Sequence, residues 1–87
     1  MYYFYVLRFK KNSKFYYGYT NNLKRRITQH LSKSSAFTSQ NGKFDLIFYE
    51  AYLNKNDAQN SERYFKTGHG REILRGKLEN YLKSIKL

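Results

Sequence analysis

The sequence predicts a small α/β (α+β) domain in which a three-stranded, mainly antiparallel sheet is flanked by three helices. Two tyrosine-rich, strand-like runs, YYFYVLRF at 2–9 and KFYYGYT at 14–20, stand on either side of a short polar turn. A third aromatic and β-branched run, FDLIFYEAYL, fills 44–53, and the stretches between and after these runs carry apolar residues at helical intervals. A chain of 87 residues buries only about 60–65% of its unfolded surface, so one core and a single domain over 1–87 are expected.

The first two runs form a hairpin closed at Asn12-Ser13. Both parities of the first strand are apolar, Tyr3, Tyr5 and Leu7 on one side and Tyr2, Phe4 and Val6 on the other, so the sheet should be covered on both faces. Gly18 interrupts the second strand, which points to close backbone approach, to a bulge, or simply to the strand's end before Thr20.

Leu23, Ile27 and Leu31 recur every four residues behind Asn21 and Asn22, either of which can cap a helix over 22–32. At the helical repeat the apolar stripe centres near Ile27, with His30 roughly 60° away, Arg26 about 100° and Arg25 about 160°. Arg26 and His30 therefore flank the core together while Arg25 faces solvent. Taken without other context, this is equally the pattern of a snorkelling arginine and a boundary histidine.

The polar, aperiodic SKSSAFTSQNGK at 32–43 reads as a loop. Asn54, followed three residues later by Asp57, offers a cap for a second helix, along which Ala58, Ser61, Glu62 and Phe65 share a face. An inward carboxylate must meet a cation, a donor or a metal, and an ion pair with an arginine is the plain alternative to a functional role. Thr67-Gly68-His69-Gly70 ends that helix. A last one is expected over about 71–85, with Leu74, Leu78, Tyr81, Leu82 and Ile85 on one side and Gly76 as a weak point.

Seventeen Lys and Arg against six Asp and Glu give a formal charge of +11, which favours a polyanionic partner, nucleic acid first. Lys24, Arg25, Lys66 and Arg71 are the basic side chains expected to contact it. No run of 18 apolar residues and no signal pattern are present, so a cytoplasmic protein that does not engage membranes is expected. Without cysteine there are no disulfides or thiolate metal sites, and two histidines do not make a zinc centre.

Phosphodiester hydrolysis needs an activated water, neutralisation of charge at phosphorus and help for the departing oxygen. Tyr5 or Tyr16 could accept the proton, with His30 sharing or relaying it. Arg26 could bind nonbridging oxygens, and Glu62 could hold one Mg²⁺ or Mn²⁺ that keeps most of its water. A free tyrosine has a pKa near 10, so a phenolate at neutral pH requires cationic neighbours such as Arg26, nearby lysines or the metal. The acid clusters of two-metal nucleases are missing.

The ordered set Tyr5, Tyr16, Gly18, Arg26, His30 and Glu62 resembles the GIY-YIG nuclease family, whose first motif falls on Phe4-Tyr5 and whose second falls on Tyr16-Tyr17-Gly18. The likeness covers nearly the whole chain and is strongest to small stand-alone bacterial members related to the N-terminal nuclease domain of the excision-repair enzyme. It implies a single-metal DNA endonuclease, with the first-motif tyrosine as favoured base, the arginine on phosphate and the glutamate on the metal. By the same likeness the chain would act as a monomer in DNA repair or recombination on duplex or branched DNA, with RNA as a further candidate. Tyr3 and Phe4 replace the first motif's glycine and aliphatic residue, and Tyr17 the middle of the second. Many members carry an asparagine 12 to 15 residues beyond the glutamate; positions 74–77 here are Leu-Arg-Gly-Lys and the nearest asparagine is Asn80, so Lys66, His69 or Arg71 would have to serve. The competing readings are a nucleic-acid-binding module without turnover, against which an inward Glu62 argues, and an adaptor for an acidic protein.

Overall fold

The computed structural model describes residues 1–32 and 41–85. Three strands, β1 (Tyr2–Phe9), β2 (Phe15–Thr20) and β3 (Phe44–Tyr52), form one antiparallel sheet in the order β2-β1-β3, so the first strand is central. The hairpin closes as expected, with Ser13 supplying a positive φ of 61° at the turn. The loop expected over 32–43 lies, but for its ends, outside the described residues.

Alternation on β1 creates two cores, one on each face, as the doubly apolar pattern requires. Tyr5, Leu7 and Phe9 pack with Tyr16, Phe44 and the apolar stripe of helix α1 (Leu23–Leu31). On the opposite face Phe4 and Val6 pack with Phe15 and Tyr17 from β2, Phe65 of helix α2 (Lys55–Phe65), and Leu74 of helix α3 (Gly68–Lys77). The pairing of β1 with β3 shifts register between Val6 and Leu7, where Leu7 meets Leu46 and Val6 meets Phe48. The extra residue, Ile47, lets Ile47 and Phe48 both join the Phe4 core, a change of phase that alternation alone does not predict.

The helix caps follow the sequence closely. Asn22 accepts from the Arg25 amide at the start of α1, and Asn54 accepts from the Asn56 amide at the start of α2. The last expected helix is two. Thr67 caps α3, accepting from the Gly70 amide, and Leu78, at φ −104° and ψ 17°, separates it from α4 (Glu79–Ser84) two residues after Gly76. The Thr67–Gly70 stretch therefore opens a helix rather than forming a spacer. Gly70 allows this: a Cβ there would lie 2.0 Å from the Tyr64 carbonyl oxygen, so only glycine lets α3 turn in against the end of α2. No described helix is long and apolar enough to cross a membrane.

Candidate active site

Four of the five residues expected to share a site come together on the α1 face. Tyr5 on β1 sends its hydroxyl to His30 Nε2 at 2.9 Å and receives Arg26 Nε at 3.3 Å. Arg26 also hydrogen-bonds Tyr16. The Tyr16 ring meets the His30 ring edge-on at a centroid distance of 5.3 Å and lies 6.2 Å from that of Tyr5. Arg26 and His30 are one turn apart on α1, so a single helix delivers both.

Gly18 is what lets Tyr5 lie there. It stands directly opposite Tyr5 in the β1–β2 register, and a Cβ at that position would be 2.3 Å from Tyr5 Cζ. The neighbour that requires glycine here is thus a side chain, the Tyr5 ring, where a close backbone, a bulge or a strand end was expected.

Burial sets the electrostatics. Tyr5 is wholly buried, and burial pushes its pKa up to about 12; the hydrogen bond from Arg26 works the other way, while Tyr16 and Glu62 add to the rise. The expectation that cationic neighbours make this phenol a phenolate near neutrality is thus not met in the free protein, because desolvation outweighs one guanidinium. His30, 1% exposed, is pushed down to about 4 by burial and then by the Arg26 charge, so it is neutral at pH 7. Burial also opposes the charge on Arg26, but its bonds to the two tyrosine hydroxyls outweigh this and hold its proton more firmly than usual.

Glu62 reaches this cluster through space, as its charge disfavours the Tyr5 phenolate. Ala58, Ser61 and Phe65 are buried on α2 as expected, but Glu62 sits at the boundary with its side chain 24% exposed. Its partner is Lys66 at 3.2 Å, one helical turn on, rather than an arginine. No group of three or more His, Cys, Asp and Glu gathers among the described residues. One part-exposed carboxylate fits a cation such as Mg²⁺, which retains several waters, provided that Lys66 yields its place. Of the three residues expected to stand in for the family's asparagine, Lys66 is the one that pairs with Glu62 among the described residues; Asn80 is exposed on α4.

The expected nucleic-acid contacts are divided. Lys24 and Arg25 are exposed on α1. Arg71 is on α3, which packs on the opposite face of the sheet, where its Nη2 donates to the Lys66 carbonyl at 2.8 Å.

One polar group escaped the sequence reading. Glu50 on β3 accepts hydrogen bonds from Tyr52 Oη at 2.6 Å and from the buried Ser61 hydroxyl, tying α2 to the sheet next to Glu62. The only cue was a second acid in a run otherwise apolar, and no local spacing links 50 to 61.

Residues 1–80 match the family described as the GIY-YIG catalytic domain. The UPF0213 protein YazA of Bacillus subtilis is 37% identical over 81 residues, covering 92% of this chain and 76% of that protein. The UPF0213 protein CPE1444 of Clostridium perfringens is 37% identical across the full length of both. The solution structure of the UPF0213 protein BH0048 from Bacillus halodurans superposes with a TM-score of 0.55 at 32% identity, over 87% of this chain and 84% of that one.

Proposed function

Because the chain belongs to the GIY-YIG catalytic domain family, a nuclease superfamily whose substrates are nucleic acids, we propose that it is a divalent-metal-dependent endonuclease hydrolysing phosphodiester bonds in DNA. The observation that carries this reading is the convergence of Tyr5, Tyr16, Arg26 and His30, from two strands and one helix, around a guanidinium that forms no ion pair with a carboxylate among the described residues.

In this reading Arg26 binds a nonbridging oxygen and offsets the charge that grows at phosphorus. The two tyrosines divide the remaining work by exposure. Tyr5 is buried and keeps its proton, so it orients Arg26 and His30. Tyr16 is only half-buried and shares the same arginine, so it is the tyrosine that an attacking water can reach; as phenolate it takes the water's proton and leaves the hydroxide to attack phosphorus. This assignment departs from the first-motif tyrosine that the family likeness favours as base. Glu62 would hold Mg²⁺ or Mn²⁺, which when bound supplies charge neutralisation at the phosphate and assistance to the leaving oxygen.

Incubation with branched, single-stranded and duplex DNA, and with RNA, in Mg²⁺, Mn²⁺ or EDTA tests the proposal. Cleavage of DNA that requires the divalent ion is expected. Binding without cleavage in either metal would identify a nucleic-acid-binding module instead.

A further inference from the structure

Strand β2 is an edge of the sheet, and its consecutive residues Tyr16 and Tyr17 point to opposite faces. Tyr16 belongs to the candidate site. Tyr17 lies on the other face, stacked on Phe4 with ring centroids 6.3 Å apart, and α3 packs beside it through Leu74. Arg71 and Arg75, which flank Leu74 one helical turn apart, are brought to this same place. The Arg75 guanidinium lies 5.8 Å from the centre of the Phe15 ring, and Arg71 is tethered to the Lys66 carbonyl. Both arginine charges act on the Tyr17 phenol, and no carboxylate is among the groups that do. Neither arginine forms an ion pair among the described residues, and the Tyr17 hydroxyl makes no hydrogen bond there. Two uncompensated guanidinium groups beside a hydroxyl free to donate make an anion site of the kind a phosphate fills.

We infer that Tyr17, Arg71 and Arg75 bind a backbone phosphate of an unpaired strand that leaves the candidate active site around the β2 edge. The inference rests on the nuclease reading, since it takes the strand's other contact to be Tyr16 and Arg26. The geometry selects the form of the nucleic acid. A duplex is stiff over far more than the thickness of one sheet, so a strand that is still paired does not turn around a single edge strand from one face to the other. A single strand can turn there within a few nucleotides, so the preferred substrate carries an unpaired flank beside the scissile phosphate.

Binding is measured in EDTA with Glu62→Gln protein, using a fluorescent DNA duplex bearing a single-stranded flap and a blunt duplex of the same paired length. The unaltered β2 edge should bind the flapped DNA at least tenfold more tightly. Adding Arg71→Ala with Arg75→Ala should lower that preference about tenfold and flatten the salt dependence for the flapped DNA by about 0.7 unit of log Kd per log salt, the contribution of one single-strand phosphate. Tyr17→Phe, which keeps both charges and the ring's packing, should lower the preference two- to fivefold with an unchanged melting temperature. Equal affinity for the two DNAs, or a preference that survives the double substitution in protein of unchanged melting temperature, overturns the inference. Because this readout needs no turnover, loss of metal-dependent cleavage in Glu62→Gln tests the nuclease reading separately.

Discussion

Tyr5 and His30 share a buried hydrogen bond, and the same phenolic oxygen also accepts from Arg26. Arg26 Nε can only donate, so Tyr5 Oη accepts from it at 3.3 Å, and the phenol meets His30 Nε2 at 2.9 Å with a second lone pair or with its proton, according to the imidazole tautomer. The other ring nitrogen, Nδ1, is buried without a hydrogen-bond partner among the described residues, so Tyr5 is the polar contact that the imidazole makes there. Burial and the neighbouring Arg26 charge keep this imidazole neutral.

This arrangement sets a pH dependence of stability. The His30 pKa is near 4 in the folded chain against about 6.5 unfolded, so on acidification the unfolded state binds the proton first. The stability that neutral His30 contributes is complete above pH 6.5 and is lost as pH falls toward 4, by about 3 kcal/mol. Denaturant melts from pH 8 to 4 should show this loss, and His30→Gln should shrink it. A profile identical in the variant would remove His30 as its source.

The division of labour between the tyrosines predicts unequal costs. Tyr16→Phe should lower the cleavage rate by about 10² to 10⁴ and abolish its rise with pH. Tyr5→Phe should retain the pH rise, lower the rate less, and destabilise the fold by about 1–3 kcal/mol, because Arg26 and buried His30 each lose a partner. The reverse pattern of pH profiles would return the base to Tyr5.

Glu62→Gln should abolish metal-dependent cleavage with metal-free DNA binding unchanged or slightly tighter, since a phosphate-repelling charge is removed. The Lys66 pair it breaks is partly exposed, so stability should change by no more than about 1 kcal/mol. Full turnover at unaltered metal dependence would dismiss Glu62 as the ligand.

Gly18→Ala should be disproportionately costly for one added methyl. The new Cβ would overlap the Tyr5 ring, and because that ring is held by Gly18's strand on one side and α1 on the other, relief must displace the hydroxyl from Arg26 and His30. We expect a loss of about 1–3 kcal/mol in chemical denaturation together with at least a tenfold fall in cleavage rate. A stable, fully active variant would show that the site tolerates a shifted Tyr5.

Lys24 and Arg25 are exposed on α1, on the same helix as Arg26. Replacing both with alanine should weaken binding across DNA sequences and flatten the salt dependence by roughly 0.7 to 0.9 unit for each lost phosphate contact. Affinity insensitive to salt would contradict electrostatic binding altogether.

What the sequence determined by itself is what short-range repetition encodes. Alternating aromatics set the strands and declared both faces of β1 buried. Leu23 and Ile27 set the inner face of α1, and with it the pairing of Arg26 with His30 one turn apart. Asn22 and Asn54 set the helix starts because a cap acts within three residues. Tertiary structure decided everything that depends on residues distant in the chain meeting at a particular depth. The register that places Gly18 opposite Tyr5, the bulge at Ile47, the docking of α3 that requires Gly70, and the Glu50–Ser61 tie have no signature at fixed spacing. Nor could periodicity foresee that Tyr5 would be buried deeply enough to keep its proton while Tyr16 stayed within reach of solvent. Desolvation is a property of the packed surroundings, and both tyrosines occupy aromatic strands of the same character until α1 covers one more completely than the other.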